Sequence, residues 1–151
     1  MNLTENEIRE LIKEAFDARE MAYTPYSNFK VGAALLTSNK KIYKGCNIEN
    51  ASFSPTICAE RTAIFKAVSE GNRDFRAISI VGGKENDTNF NYSPPCGVCR
   101  QVMVEFCDIE KFMIIIAKSI DEYKIYTLKD LLPISFSDKE LESQWQSWIV
   151  L

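Results

Sequence analysis

Ile8, Leu11, Ile12, Ala15 and Phe16 recur at the three- and four-residue spacing of one helical face, behind a Thr4/Glu7 pair that reads as a capping box. This predicts a first helix ending near Met21. Thr24-Pro25-Tyr26-Ser27-Asn28 breaks the period as a turn. Residues 30–37 then read as a strand, with residues 41–46 as its hairpin partner across Ser38-Asn39-Lys40. A second helix over residues 56–70 would turn Ile57, Ala63, Ile64, Ala67 and Val68 inward and stop where Gly71 supplies a left-handed cap. Residues 75–81, nearly all apolar or small, predict a buried strand, and the polar stretch 82–93 predicts a surface loop or short helix. A third helix over 95–107, a buried strand over 112–117 and a short strand over 124–127 follow. Ser137 and Glu140 form a second capping box, and Leu141, Trp145, Trp148 and Ile149 share one face beyond it. Residues 137–151 therefore read as a C-terminal helical extension that covers either its own subunit or a neighbour.

Strand, hairpin strand, helix, strand, helix, strand, strand is an α/β order, with helices covering a mixed central sheet and crossovers around the second and third helices. Sites in such folds form at the carboxyl ends of strands, where helices begin. The chain has 151 residues, 46% hydrophobic and 26% charged, which suits one catalytic domain over 1–151 without repeat or linker. No apolar run approaches the roughly 20 residues of a membrane span, and the N-terminus reads as an acidic helix instead of a signal peptide. A cytoplasmic protein with no membrane partner is expected. A net charge of −3 also argues against nucleic acid, whose binding rests on a basic surface that releases counterions. A small neutral substrate fits better.

Five cysteines and no histidine set the chemistry. Imidazole-ligated zinc and Ser-His or Cys-His nucleophiles are excluded, so acid-base work falls to a carboxylate. One cysteine, Cys58, and a Cys96-x-x-Cys99 pair favour metal ligation in a reducing compartment over disulfides. Cys96 and Cys99 share a helical face and make a clamp. Cys58 and Glu60, two apart, converge only on a point just off a helix tip. Pro55 and Pro95 suit first helical positions, which places both groups at helix starts. Thiolates at about 2.3 Å suit zinc, and three protein ligands leave a fourth position for water, the mark of a catalytic site. Glu60 would be the general base and acid beside it. Three thiolates outweigh Zn²⁺ by about one charge; two helix N-termini at roughly half a charge each, together with Arg61 donating to the sulfurs, restore the balance. Cys46 and Cys107 read as small buried hydrophobes.

The stretches Ser54-Pro55-Thr56-Ile57-Cys58-Ala59-Glu60-Arg61 and Pro94-Pro95-Cys96-Gly97-Val98-Cys99-Arg100-Gln101 resemble the zinc-dependent cytidine deaminases, whose signature is Cys-Ala-Glu followed by Pro-Cys-x-x-Cys. Residues 26–34, 45–52 and 131–136 are similar to the family's other motifs, in order. The resemblance implies the three-layer α/β/α deaminase fold with a five-stranded mixed sheet, and zinc as cofactor on Cys58, Cys96 and Cys99. The reaction it implies is hydrolysis of cytidine and deoxycytidine to uridine and deoxyuridine with release of ammonia. By the same resemblance Asn47 and Glu49 hold the ribose hydroxyls, Phe29 flanks the base or sugar, and the Ala59 carbonyl reads the exocyclic amine. Ala51 and Phe53 also contact substrate. Phe136 corresponds to an aromatic that one subunit of a homotetramer stacks over the base in a neighbour's pocket.

From the residues alone, Asn47 and Glu49 also read as a solvated loop pair, and Phe29 and Phe136 as ordinary core. Phe53 departs from the family, which often has tyrosine there to reach the ribose 5′ end; the preference among cytidine, deoxycytidine and modified nucleosides stays open. Three competing readings are a polynucleotide editor, a nucleoside-antibiotic deaminase of the same fold, and a structural zinc module. The first lacks a basic stripe, the second differs only in substrate contacts, and the third wants a fourth Cys or His ligand and has no use for Glu60.

Overall fold

A computed structural model describes residues 3–141. Helix α1 (Glu5–Arg19) opens with the expected capping box: the Thr4 hydroxyl accepts from the Glu7 N–H, and the Glu7 carboxylate accepts from the Thr4 N–H. Strands β1 (Phe29–Thr37) and β2 (Ile42–Cys46) form the predicted hairpin. Next come α2 (Ala59–Ser69), β3 (Phe75–Lys84), α3 (Gly97–Phe106), β4 (Met113–Ala117) and β5 (Tyr123–Thr127). A four-residue α4 (Leu128–Leu131), which the periodicity did not announce, is capped by Thr127 and Asp130. The extension beyond residue 141, with its two tryptophans, lies outside the described residues.

The five strands form one mixed sheet in the order β2-β1-β3-β4-β5. Only β3 and β4 are parallel neighbours, joined through α3; β2 and β3 also run the same way, with antiparallel β1 between them, joined through α2. Both helices therefore start at the same end of the sheet. Alternate residues of each strand feed two cores, as period-two side chains must. Ala34, Leu36, Ala77, Val81, Ile115 and Ala117 meet Ile8, Leu11, Ile12 and Ala15 of α1 on one face. Ala33, Leu35, Ile78, Ile80, Ile114 and Ile116 meet Ala63, Ile64 and Ala67 of α2 and Cys99 and Met103 of α3 on the other. The result is the expected three-layer α/β/α architecture.

Three boundaries that bear on the site differ from the sequence expectation. Strand β3 continues to Lys84 because Phe29, Lys30 and Val31 of β1 pair with Lys84, Gly83 and Gly82, so the glycines of the predicted loop are strand. Helices α2 and α3 begin at Ala59 and Gly97, so Pro55 and Pro95 lie before the helices and do not open them.

Close approach of helix to sheet rests on two glycines. A Cβ at Gly32 would stand 2.0 Å from the Ala15 carbonyl oxygen of α1, and one at Gly45 would stand 2.3 Å from the Ala59 oxygen and 2.4 Å from the Ala63 nitrogen of α2. These neighbours are backbone and cannot swing away. Gly45→Ala should therefore lower stability by about 3 kcal/mol or more by forcing α2 off the sheet, measured by denaturant unfolding. Gly97→Ala, which meets nothing within 4 Å, should stay within about 1 kcal/mol of the parent.

Candidate active site

Ile48 and Ile57 exchange two backbone hydrogen bonds of 3.0 Å, forming an isolated antiparallel bridge that keeps the chain extended up to Cys58. Helix α2 cannot begin before the bridge ends. Cys58 is consequently its N-cap, in extended conformation with φ −79° and ψ 155°. Serine, threonine or aspartate in that position would turn its side chain back onto the first N–H groups. The Cys58 sulfur makes no such bond. Cys96 repeats the arrangement as the N-cap of α3, with φ −67°, ψ 165° and again no capping bond. Cys99 follows in the first turn, fully buried.

The sheet brings these two helix tips together. The Cys58 and Cys96 sulfurs are 3.8 Å apart, those of Cys96 and Cys99 3.5 Å, and all three lie within 4.8 Å of one another. Ligands at about 2.3 Å on a tetrahedral ion stand roughly 3.8 Å apart, so the three thiols fit zinc and no histidine or fourth cysteine joins them among the described residues. All five cysteines are free of disulfides. Cys107, buried, has its thiol pushed up by desolvation, and Cys46 is half-buried.

Charge around the sulfurs is graded. Hydrogen bonding from the Cys99 thiol, followed by the Arg61 guanidinium at 3.3 Å, brings Cys58 down to about 5. Cys99 moves the opposite way, raised by that same hydrogen bond and by burial. The Arg61 Nε is buried without a protein partner, facing the ligand cluster as one positive group. Glu60, the second residue of α2, is 4% exposed. Burial, reinforced by the Cys58 charge, raises its carboxyl from 4.5 to about 7. A buried carboxyl poised near neutrality beside a cluster of sulfurs is suited to exchanging protons with a reacting group.

A cavity of about 390 Å³ opens on this point, with Cys58, Ala59, Glu60 and Cys96 among its lining residues. Phe29 and Asn47 form part of its wall, so two of the residues expected at the base and ribose share one space with the sulfurs. Asn47 is held rigidly: its Oδ1 accepts from the Val31 N–H and its Nδ2 donates to the Phe29 carbonyl, each at 2.8 Å. Glu49 lies in a neighbouring hollow with Tyr26, Ser27 and Phe53. Its carboxylate accepts from the Tyr26 and Ser27 N–H groups and from the Ser27 hydroxyl, which holds it below the usual range. Ala51, Phe53 and Phe136 are exposed and line no part of the cavity within one chain.

Sequence reasoning missed part of the wall: Val31, Ile80, Tyr92, Ser93 and Pro94 also line the cavity. Tyr92 and Ser93 belong to the stretch read as a surface loop. It folds back because Gly82 leaves room: a Cβ there would meet the Ser93 Oγ at 2.6 Å and the Phe29 ring at 3.2 Å. Adjacency to Pro94-Pro95-Cys96 was the available signal.

Residues 5–116 match the family described as the cytidine and deoxycytidylate deaminase zinc-binding region. A cytidine deaminase of Sporosarcina psychrophila is 47% identical over 137 residues, covering 89% of this chain and 95% of the relative. Another from Halalkalibacterium halodurans is 48% identical over 133 residues, or 87% and 95% of the two chains. The crystal structure of cytidine deaminase from Burkholderia pseudomallei superposes with a TM-score of 0.77 at 43% identity, covering 89% of this chain and all of that one. Cysteine N-caps converging from two helices on one sheet, a buried glutamate between them, and close relatives across most of the length agree: the chain belongs to the zinc-dependent cytidine and deoxycytidylate deaminases.

Proposed function

We propose that the protein hydrolyses cytidine and deoxycytidine to uridine and deoxyuridine, releasing ammonia, and that Cys58, Cys96, Cys99 and Glu60 carry the reaction. The observation behind this reading is the buried Glu60 carboxyl at the tip of α2, facing the same cavity as the Cys58 and Cys96 sulfurs. Zinc held by the three sulfurs supplies the Lewis acidity that lets water act as a nucleophile near neutral pH. Glu60 takes the proton from the attacking water as oxygen bonds to C4 of the cytosine ring. The same carboxyl passes that proton to N3 and then relays the remaining proton of the C4 hydroxyl to the amino group, so that the C4–N bond breaks, C4 keeps its oxygen as a carbonyl and ammonia leaves. Arg61 and the N-termini of α2 and α3 offset the thiolate charge, so the ion is not silenced by its own ligands.

For substrate, the Ala59 carbonyl accepts from the exocyclic amine, Asn47 and Glu49 bind the ribose hydroxyls, and Phe29 packs on the base or sugar. Asn47 keeps one amide hydrogen and one lone pair beyond its two backbone bonds. Ala51 contacts substrate, and Phe53 and Phe136 reach it from neighbouring subunits of a homotetramer. The support for this sharing is exposure: Phe53 is 82% and Phe136 59% exposed in one chain, more than an ordinary core aromatic. A cytoplasmic location suits three free thiols that must stay reduced, and no helix among the described residues is long and apolar enough to cross a membrane.

Glu60→Gln should retain about one zinc per chain while losing at least 10²–10⁴-fold in turnover, because it removes proton transfer and leaves ligation intact; ammonia release and elemental analysis check both halves. Cys58→Ala, Cys96→Ala and Cys99→Ala should each lose the zinc.

The same glutamine variant has a stability signature in metal-free protein. A carboxyl whose folded pKa stands at about 7, against 4.5 unfolded, carries no ionisation penalty below the lower value. The penalty grows between the two and is complete above the upper one. Glu60→Gln should thus stabilise the metal-free protein by on the order of 3 kcal/mol at pH 8, and the gain should vanish below pH ~4.5. Denaturant unfolding at both pH values tests it.

Sharing of sites is tested by mixing. Glu60→Ala and Phe136→Ala chains refolded together should show more activity than the mean of the two parents, because some pockets then hold an intact Glu60 from one chain and an intact Phe136 from another. No gain, once sizing shows that hybrids formed, would confine Phe136 to its own subunit.

A further inference from the structure

Helix α3 does more than present Cys96 and Cys99. Its next two residues, Arg100 and Gln101, reach away from the sulfurs to the chain beyond α4. The Arg100 guanidinium donates through Nε to the Pro95 carbonyl at 2.9 Å and through Nη1 to the Leu131 carbonyl at 2.6 Å. One planar group thereby ties the backbone just before a sulfur ligand to the last residue of α4. Gln101 donates its Nε2 to the Phe136 carbonyl at 2.8 Å. That is the one hydrogen bond that residues 133–136 make to other described residues. Residues 133–136 belong to no helix or strand, and Ile134 and Phe136 are 90% and 59% exposed. No backbone ladder holds this stretch in place, and its two large apolar side chains are mostly exposed.

We infer that Arg100 and Gln101 are positioning residues, which fix the aromatic ring of Phe136 relative to α3. This rests on the reading that Phe136 closes over substrate in a neighbouring subunit. A helix is a stiff ruler, and here its first two turns bear both the metal ligands of one pocket and the anchor of the ring lent to another. Where the ring stands is then set by α3 and not by the exposed tail. Loss of the Gln101 anchor leaves the ring attached but lets it wander, so substrate is held less well while the chemistry at Glu60 is untouched. Uniform loss of binding raises KM at constant kcat.

Gln101→Glu is nearly isosteric and removes the donor, turning a carboxylate toward the Phe136 carbonyl. It should raise the KM for cytidine roughly fivefold, as loss of one hydrogen bond would, with kcat, zinc content and oligomer size unchanged. Gln101→Lys restores an N–H donor and should bring KM back to within about twofold of the parent. Phe136→Ala serves as reference, and the Gln101→Glu/Phe136→Ala double variant should have the same KM as Phe136→Ala alone, because a missing ring cannot be mispositioned further. If Phe136→Ala raises KM and Gln101→Glu does not, or the two effects add in the double variant, the positioning role is wrong and the reading of Phe136 stands. If Phe136→Ala leaves KM unchanged, both fall. Failure of the lysine variant to recover KM, or a fall in zinc content or oligomer size in Gln101→Glu, would show a merely structural role and overturn the inference.

Discussion

Three cysteine sulfurs and a carboxyl gathered within one small volume repel one another, and much of this fold serves to hold them together. All but one of the devices, the Arg61 side chain, are backbone ones. The Ile48–Ile57 bridge keeps the chain extended to Cys58, so that a cysteine and not a hydroxyl residue caps α2. The parallel course of β2, β3 and β4 starts α2 and α3 at the same end of the sheet. Gly45 lets α2 settle against β2 at a distance that no side chain would permit. Two positive helix ends and Arg61 then meet the thiolates. Because every component is fixed by the sheet, the site needs little rearrangement to receive an ion whose ligand spacing it already matches.

The same preorganisation accounts for the contrast between two carboxylates eleven residues apart. Glu60 is buried with no cation in direct hydrogen bond and is pushed up to about 7; Glu49, half-buried and bound by two N–H groups and a hydroxyl, is held down. Without metal, one carboxyl can hold or release a proton near neutrality, and the other stays an ionised hydrogen-bond acceptor. The N–H groups bound to Glu49 come from the turn before Phe29, where Asn28 takes a left-handed φ of 56°. Glu49 thus fixes the cavity wall as well as offering its own oxygens.

Much of the site was legible in the sequence because metal ligation by cysteine is local: Cys58-Ala59-Glu60-Arg61 and Cys96-x-x-Cys99 state their chemistry by spacing. The strands were legible through their apolar runs, and the capping boxes at Thr4 and Thr127 are both formed, although only the first was anticipated. The helix starts were misread because Pro55 and Pro95 were given a first-turn role, whereas the bridge at Ile57 and the extended Cys96 delay each helix to the residue after its cysteine. Tyr92 and Ser93 escaped notice because their place in the wall depends on a fold-back over Gly82, and no local pattern encodes a contact between a loop and a distant glycine. The anchoring of Phe136 by Gln101 is equally invisible in one dimension, spanning 35 residues.

Zinc-edge X-ray absorption on the loaded protein tests the central claim most directly, that two cysteine N-caps and one first-turn cysteine form an open three-sulfur site. Three sulfur scatterers at about 2.3 Å and one lighter scatterer near 2.0 Å are expected. Four sulfurs would mean that Cys46 or Cys107 closes the site and would contradict it, as would two sulfurs with the remaining positions filled by oxygen.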